Sequence, residues 1–129
     1  MNLGSKKIFI AAFTKNGINV AKKVSDFLEN AKIFVPKRFS DENLEKFDAP
    51  LTEWAGKIFD EAGAIIFVSA CGIALRAIAS HVKSKLTDPA VIVIDEKANF
   101  VIPILSGHIG RANELAGKIA DYLNAIPVI

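Results

Sequence analysis

Apolar residues recur along this chain in two rhythms, and their alternation predicts the fold class. Ile8-Phe9-Ile10-Ala11-Ala12-Phe13 is apolar without interruption and ends in Thr14-Lys15-Asn16-Gly17. A run apolar on both faces reads as a buried parallel strand within Lys6 to Phe13. Val20, Ala21, Val24, Phe27 and Leu28 then recur at three- and four-residue spacing, with Lys22, Lys23, Asp26 and Glu29 between them, which predicts an amphipathic helix. Ile33-Phe34-Val35 is a short strand closed by Pro36, and the polar stretch from Lys37 to Asp48 is a loop with room for one helical turn. Helical spacing resumes at Leu51, Trp54, Ala55, Ile58, Phe59 and Ala62, with Asp48 and Pro50 as start signals and Gly63 as a C-cap stop.

Ala64-Ile65-Ile66-Phe67-Val68 gives the strongest strand signal. Cys71-Gly72 opens a helix reaching Lys85, with Ile73, Ala77, Ile78 and Val82 along it, before Thr87-Asp88-Pro89 breaks the pattern ahead of Val91 to Ile94. Asp95 to Asn99 is too short for a parallel crossover, so Phe100-Val101-Ile102 is expected to return as an antiparallel hairpin. A last helix, His108 to Asn124, carries Ala112, Leu115, Ala116, Ile119, Ala120 and Leu123 on one stripe, and Pro127-Val128-Ile129 reads as a final strand. Strands alternating with helices imply an α/β domain over residues 1–129, a three-layer flavodoxin-like or Rossmann-like sandwich with a mainly parallel sheet and one antiparallel hairpin.

Composition narrows the function classes. At 129 residues there is room for one ordinary domain, and 51% hydrophobic with 23% charged residues excludes disorder and a disulfide scaffold. Sixteen basic residues against fourteen acidic ones, scattered through the chain, leave a charge of +2 and no nucleic-acid-binding face. Mean hydropathy is positive, yet no apolar run approaches the roughly 18 residues of a membrane-spanning helix. The N-terminal residues show no secretory cleavage pattern, and the lone Cys71 suits a reducing compartment, so the expected location is cytoplasmic.

In open parallel sheets ligands bind beyond the carboxyl ends of the strands. That rule selects Thr14 to Gly17, Ser69 to Gly72, Asp95-Glu96 and Ser106-Gly107-His108, although a hairpin would send the last of these toward the other end. No P-loop, G-x-G-x-x-G, C-x-x-C or G-x-S-x-G motif is present, which removes the usual signatures of nucleotide binding, a protein-built metal site and serine hydrolysis. What remains is Ser106-Gly107-His108-Ile109-Gly110-Arg111-Ala112-Asn113-Glu114, where Ser106 and two glycines lead into a helix start suited to an anion, and His108 supplies an imidazole, the side chain most used as an acid or base. Two readings stand: His108 as a catalytic acid or base, or Ser106 as a cap with His108 an ordinary first-turn residue. Cys71 at a second helix start reads as a small core-edge residue rather than a nucleophile, for want of a partner histidine. Arg76 either forks onto a substrate carboxylate or makes a surface ion pair, and Asp95-Glu96 is either an acid/base pair or the polar content of a turn. Lys83 and Lys85 are expected to complement a helix C-terminus.

Phe67-Val68-Ser69-Ala70-Cys71-Gly72-Ile73, Arg76-Ala77-Ile78-Ala79, Thr87 to Glu96, and Leu105-Ser106-Gly107-His108-Ile109-Gly110 with Ala112-Asn113-Glu114-Leu115-Ala116 occur in an order and spacing that resemble the N-terminal domain of the cobalt-precorrin-5A hydrolase (CbiG) family of anaerobic cobalamin biosynthesis. The first sixty residues match it only in general pattern. The chain departs from the family at Cys71, commonly threonine, near Ser80, often a proline, and at Arg111, commonly a second glycine. The resemblance implies hydrolytic opening of the δ-lactone of a cobalt-bound tetrapyrrole, cobalt-precorrin 5A, with loss of a two-carbon unit as acetaldehyde. Cobalt then arrives with the substrate, and no cofactor or protein metal site is expected. The resemblance assigns no residue a role; fitted to that reaction, His108 is expected to transfer the proton and Glu114 to be a second acid or base, both as catalytic residues. Ser106, Gly107, Gly110, Asn113, Gly72, Asp95, Arg76 and Lys15 become substrate contacts, the last two, with Arg111, as anchors for acetate and propionate groups. Family members continue into middle and C-terminal domains, so this chain is expected to be an N-terminal module and those domains its partners. The alternative is a non-catalytic corrinoid-binding or docking domain, and a third reading is a flavodoxin-like small-ligand module.

Overall fold

A computed structural model describes residues 6–106, 108 and 111–129. The strands are β1 (Lys7–Ala12), β2 (Ala31–Val35), β3 (Glu45–Lys46), β4 (Ala62–Val68), β5 (Ala90–Ile94), β6 (Phe100–Leu105) and β7 (Ile126–Pro127). The helices are α1 (Lys15–Phe27), α2 (Leu51–Phe59), α3 (Cys71–Ile78) and α4 (Ala112–Leu123). One seven-stranded sheet runs β3-β2-β1-β4-β5-β6-β7. All neighbours are parallel except β5 and β6, which form the expected antiparallel hairpin. Counted with its two-residue edge strand β3, the order is that of dinucleotide-binding folds; counted without β3, it is flavodoxin-like, so both expected names describe it.

The uninterrupted apolar strands are buried on both faces, and their alternation divides the core in two. Ile10, Ile66 and Ile92 lie in one cross-strand row and pack toward α1 and α4, with Val24, Leu115 and Ile119. Phe9, Ile65 and Val91 form the adjacent row and pack toward α2 and α3, with Trp54, Phe59 and Ile78. This is the three-layer sandwich. On the second face an aromatic group joins the sheet to α2, with Trp54 ring centroids 5.2 Å from Phe34 and 5.0 Å from Phe47, and Phe13 stacked on Phe47 at 5.5 Å.

Several boundaries differ from the sequence expectation for identifiable reasons. α2 begins after Pro50 as expected, but it stops at Phe59, and Gly63 lies inside β4 rather than capping the helix. A Cβ there would stand 2.8 Å from Lys6 Cβ, so close strand approach explains this glycine. Asp48 does not cap α2; its carboxylate lies 3.6 Å from Lys57 Nζ. The Lys37–Asp48 loop holds one helical turn, a 3-10 turn at Lys37–Phe39, and also the edge strand β3, whose two residues are too few to show a period. α3 ends at Ile78, not Lys85, and passes through a 3-10 turn at Ala79–His81. His81 Nε2 lies 2.8 Å from Thr52 O, and the buried Asp88 carboxylate accepts the Lys83 and Ser84 amides, so tertiary partners bend the chain away from helix. Lys83 accordingly pairs with Asp60 at 3.2 Å instead of complementing a helix end. Among the described residues no helix is long and apolar enough to cross a membrane.

Candidate functional site at the carboxyl edge of the sheet

The chain leaves β1 toward β2 and re-enters the sheet on the other side of β1 as β4, so the topological switch point lies between the carboxyl ends of β1 and β4. A cleft of about 520 Å³ opens there, lined by Phe13, Thr14 and Asn16 after β1, Ser69, Ala70 and Ile73 after β4, and Asp95, Glu96 and Lys97 after β5. Its walls are therefore uncharged on the β1 and β4 sides, mixing Phe13, Ala70 and Ile73 with Thr14, Asn16 and Ser69, and charged on the β5 side.

Thr14 fixes the site. It stands in extended conformation as the N-cap of α1, and its Oγ1 accepts the Gly17 amide at 3.0 Å, as a capping threonine does. The same hydroxyl donates to Glu96 Oε1 at 2.8 Å, a bond spanning 82 positions of sequence. One hydroxyl thus ties the start of α1 to the β5–β6 turn, accepting from the backbone and donating to the Glu96 carboxylate. Among the described residues Glu96 Oε2 makes no hydrogen bond. The adjacent acid behaves differently. Asp95 folds back on its own turn, accepting from Lys97 N at 3.2 Å, Asn99 N at 2.9 Å and Phe100 N at 2.6 Å, so its carboxylate holds the hairpin together. Opposite Glu96, α3 begins after Ala70 with no side-chain cap, leaving first-turn amides free toward solvent, and Gly72 has open space beside it.

The sequence-selected residues do not form one site. Lys15, Gly72 and Asp95 belong to the loops and helix starts at this edge. Arg76 is exposed on the last turn of α3 and does not line the cleft. Ser106, His108, Arg111, Asn113 and Glu114 stand at the other end of the sheet, because β6 runs antiparallel and ends beside the start of β5. Across a strand the length of β5 the two groups are roughly 20 Å apart. Gly107 and Gly110 lie outside the described residues. Ser106 is not a helix cap: α4 starts at Ala112, after Arg111 in left-handed conformation, and the Ser106 hydroxyl donates to Asp88 O at 3.2 Å. His108 is exposed.

Arg111 and Glu114 form a two-pronged ion pair, with Nε to Oε2 at 2.8 Å and Nη2 to Oε1 at 2.9 Å, and Lys118 Nζ lies 3.5 Å from Oε1. The guanidinium bond holds the Glu114 carboxyl below the usual carboxylate range and raises Arg111. A second cleft of about 540 Å³ sits at this amino edge, lined by Lys6, Asp60, Lys83, Asp88 and Arg111 among others. Its cations largely have acidic partners already.

Sequence reasoning selected these loops at the carboxyl edge; of the residues it carried forward Asp95 lines the cleft, Lys15 and Gly72 do not, and Thr14, Ser69 and Glu96 line it as well. The carboxyl-end rule was the signal available for them; which side chain of each loop turns into the cleft is a matter of tertiary contact.

A doubly wound α/β sandwich with a largely apolar cleft at its switch point, charged along one side, is the architecture of a small-molecule-binding domain. More narrowly, this chain belongs to the family described as cobalamin synthesis G N-terminal, whose model matches residues 53–129. It is 38% identical over 124 residues to a cobalt-precorrin-5A hydrolase of Salmonella typhimurium, with 96% of this chain and 35% of that protein covered. To the cobalt-precorrin-5A hydrolase of Priestia megaterium it is 34% identical over 125 residues, covering 93% of this chain and 33% of the relative. A crystal structure of a cobalamin biosynthesis protein G homolog from Sulfolobus solfataricus superposes with a TM-score of 0.73 at 31% identity, over 95% of this chain and 36% of that one. The chain thus spans about a third of the length of the curated relatives it matches.

Proposed function

We infer that this domain contributes to the hydrolysis of cobalt-precorrin 5A: water opens the δ-lactone, the two-carbon unit leaves as acetaldehyde, and cobalt-precorrin 5B results. The observation that carries this reading is the family match over residues 53–129 together with relatives of that name aligned over most of this chain. Cobalt is cargo of the substrate here, and the chain's own part is to bind the tetrapyrrole and move protons.

The carboxyl-edge cleft is the place we assign to the lactone-bearing rim. At about 520 Å³ it takes one edge of a tetrapyrrole rather than the whole ring, with Phe13, Ala70 and Ile73 against the apolar macrocycle and Lys97 beside a carboxylate of the rim. The partners in this reading are the substrate and the polypeptide that makes up the remaining two thirds of the longer relatives. Titration of the chain with cobalt-precorrin 5A, followed by the absorbance of the corrinoid, should saturate at one equivalent, and acetaldehyde should accumulate. No absorbance change at millimolar protein sinks the assignment.

A second reading is a corrinoid-binding domain without chemistry of its own. It is favoured by one observation: His108 and Glu114 stand at the edge opposite the switch-point cleft, with Glu114 tied into an ion pair. Binding without acetaldehyde release would select it, and full activity of His108→Ala in the longer enzyme would remove His108 from the proton transfer.

A further inference from the structure

We propose that Glu96 is the group that takes the proton from the attacking water when the lactone opens, and that Thr14 is the residue that positions it. The proposal deepens the functional reading above and rests on it.

Glu96 differs from every other acid near the cleft. Asp95 spends its carboxylate on three amides of its own turn, whereas Glu96 makes no contact within the turn and reaches instead to the loop after β1. One oxygen is anchored by the Thr14 hydroxyl at 2.8 Å, and among the described residues the other has no hydrogen-bond partner. An anchored carboxylate with one free oxygen facing a cleft is the arrangement a general base needs: orientation from one oxygen, basicity at the other. The Thr14 hydroxyl cannot turn away cheaply, because its lone pair holds the Gly17 amide of α1. Its proton points at Glu96, so one carboxylate oxygen is held and the other is left open to accept a proton. The apolar walls formed by Phe13, Ala70 and Ile73 weaken competing hydration of that charge.

The step balances without a co-reactant other than water. Glu96 Oε2 takes one water proton as the oxygen bonds to the lactone carbonyl carbon, and the carbonyl electrons move to oxygen. α3 begins after the cleft-lining Ala70 with no side-chain cap, so its first-turn amides are the donors available to that oxyanion. The carbonyl re-forms, the ring C–O bond breaks, and the departing alkoxide takes the proton back from Glu96. The products are a carboxylic acid and a hydroxyl, and Glu96 is again ionised.

The test incubates cobalt-precorrin 5A with this chain, reading binding by corrinoid absorbance and turnover by substrate loss and acetaldehyde. The wild type binds and turns over. Glu96→Gln, nearly the same in shape, is expected to bind within about 3-fold of wild type and to lose roughly 100-fold or more in kcat. Thr14→Val should lower kcat about 10-fold with KM little changed, and Thr14→Ser, which keeps both hydrogen bonds, should restore it; a merely structural Thr14 would give no such split. Thermal unfolding of each variant verifies folding, and Glu96→Asp provides a second folded variant with a shortened reach. Turnover of Glu96→Gln within about 3-fold of wild type overturns the proposal, as does equal loss of binding and rate. Binding by the wild type with no turnover also overturns it. Absence of wild-type binding instead removes the functional reading beneath it.

Discussion

Glu114 carries its charge as half of an ion pair, and that sets its pH behaviour. The Arg111 hydrogen bond holds its carboxyl lower in the folded chain than in the unfolded one. A depressed folded value means that the contribution to stability is complete above the unfolded value and is lost as pH falls through the folded one. The raised value of Arg111 acts the same way across neutral pH, since that contribution disappears only far above it. Glu114→Gln should therefore melt below wild type at neutral pH, and the gap should close on acidification through the carboxylate range and shrink in about 1 M salt. A gap that persists at low pH would contradict the assignment. The two neighbouring acids of the β5–β6 turn offer a sharper contrast. Asp95→Ala strips acceptors from three amides and is expected to cost about 1–2 kcal/mol, whereas Glu96→Gln should change stability by less than about 0.5 kcal/mol, both measured by denaturant unfolding. The sequence presents these acids as equals. Only the path of each side chain separates a turn-holding carboxylate from one that crosses to Thr14.

Helix packing decides where α2 and α3 meet. Gly56 lies on α2 where the His81 ring covers it, and a Cβ there would stand 2.6 Å from His81 Cε1. The ring is also placed by the Thr52 carbonyl at 2.8 Å and by Phe59, 5.9 Å between centroids. Alanine would gain roughly 1 kcal/mol of helix propensity but must displace the ring and its hydrogen bond. Gly56→Ala should thus be neutral or destabilising in the wild type and stabilising by about 0.5–1 kcal/mol once His81→Ala has removed the ring. A double-mutant cycle by urea unfolding reads the coupling; additive changes would show that the ring does not restrict this site. The same contacts explain why the apolar spacing of Ile73, Ala77, Ile78 and Val82 overstated α3. Val82 is 44% exposed, and the chain beyond Ile78 follows His81 and Asp88 rather than the helical period.

Among the described residues seven strands carry four helices, two on each face, and burial falls from the central strands to the edge. Central Ile66 is fully buried between neighbours on both sides, so Ile66→Ala should cost about 2–5 kcal/mol. Ile126 on the edge strand β7 is 58% exposed, and Ile126→Lys should move stability by less than about 0.5 kcal/mol; both are checked by chemical denaturation. The central strands, the helical faces and the hairpin were legible in sequence because burial on both faces, 3.6-residue spacing and a five-residue connection each leave a local mark. Family membership was legible too, in motifs running from Phe67 to Ala116. The site was legible only as a set of loops. The predicted hairpin already pointed Ser106 to Glu114 toward the other end, and the antiparallel β6 does deliver that motif to the amino edge, away from Thr14, Ser69 and Glu96. The chain's own pattern of apolar residues determined which segments pair and which faces are buried, since the hydrophobic effect acts on local periodicity. Which of two adjacent carboxylates folds back on its own turn and which crosses to Thr14 depends on a contact 82 residues apart, and only the folded arrangement decided that.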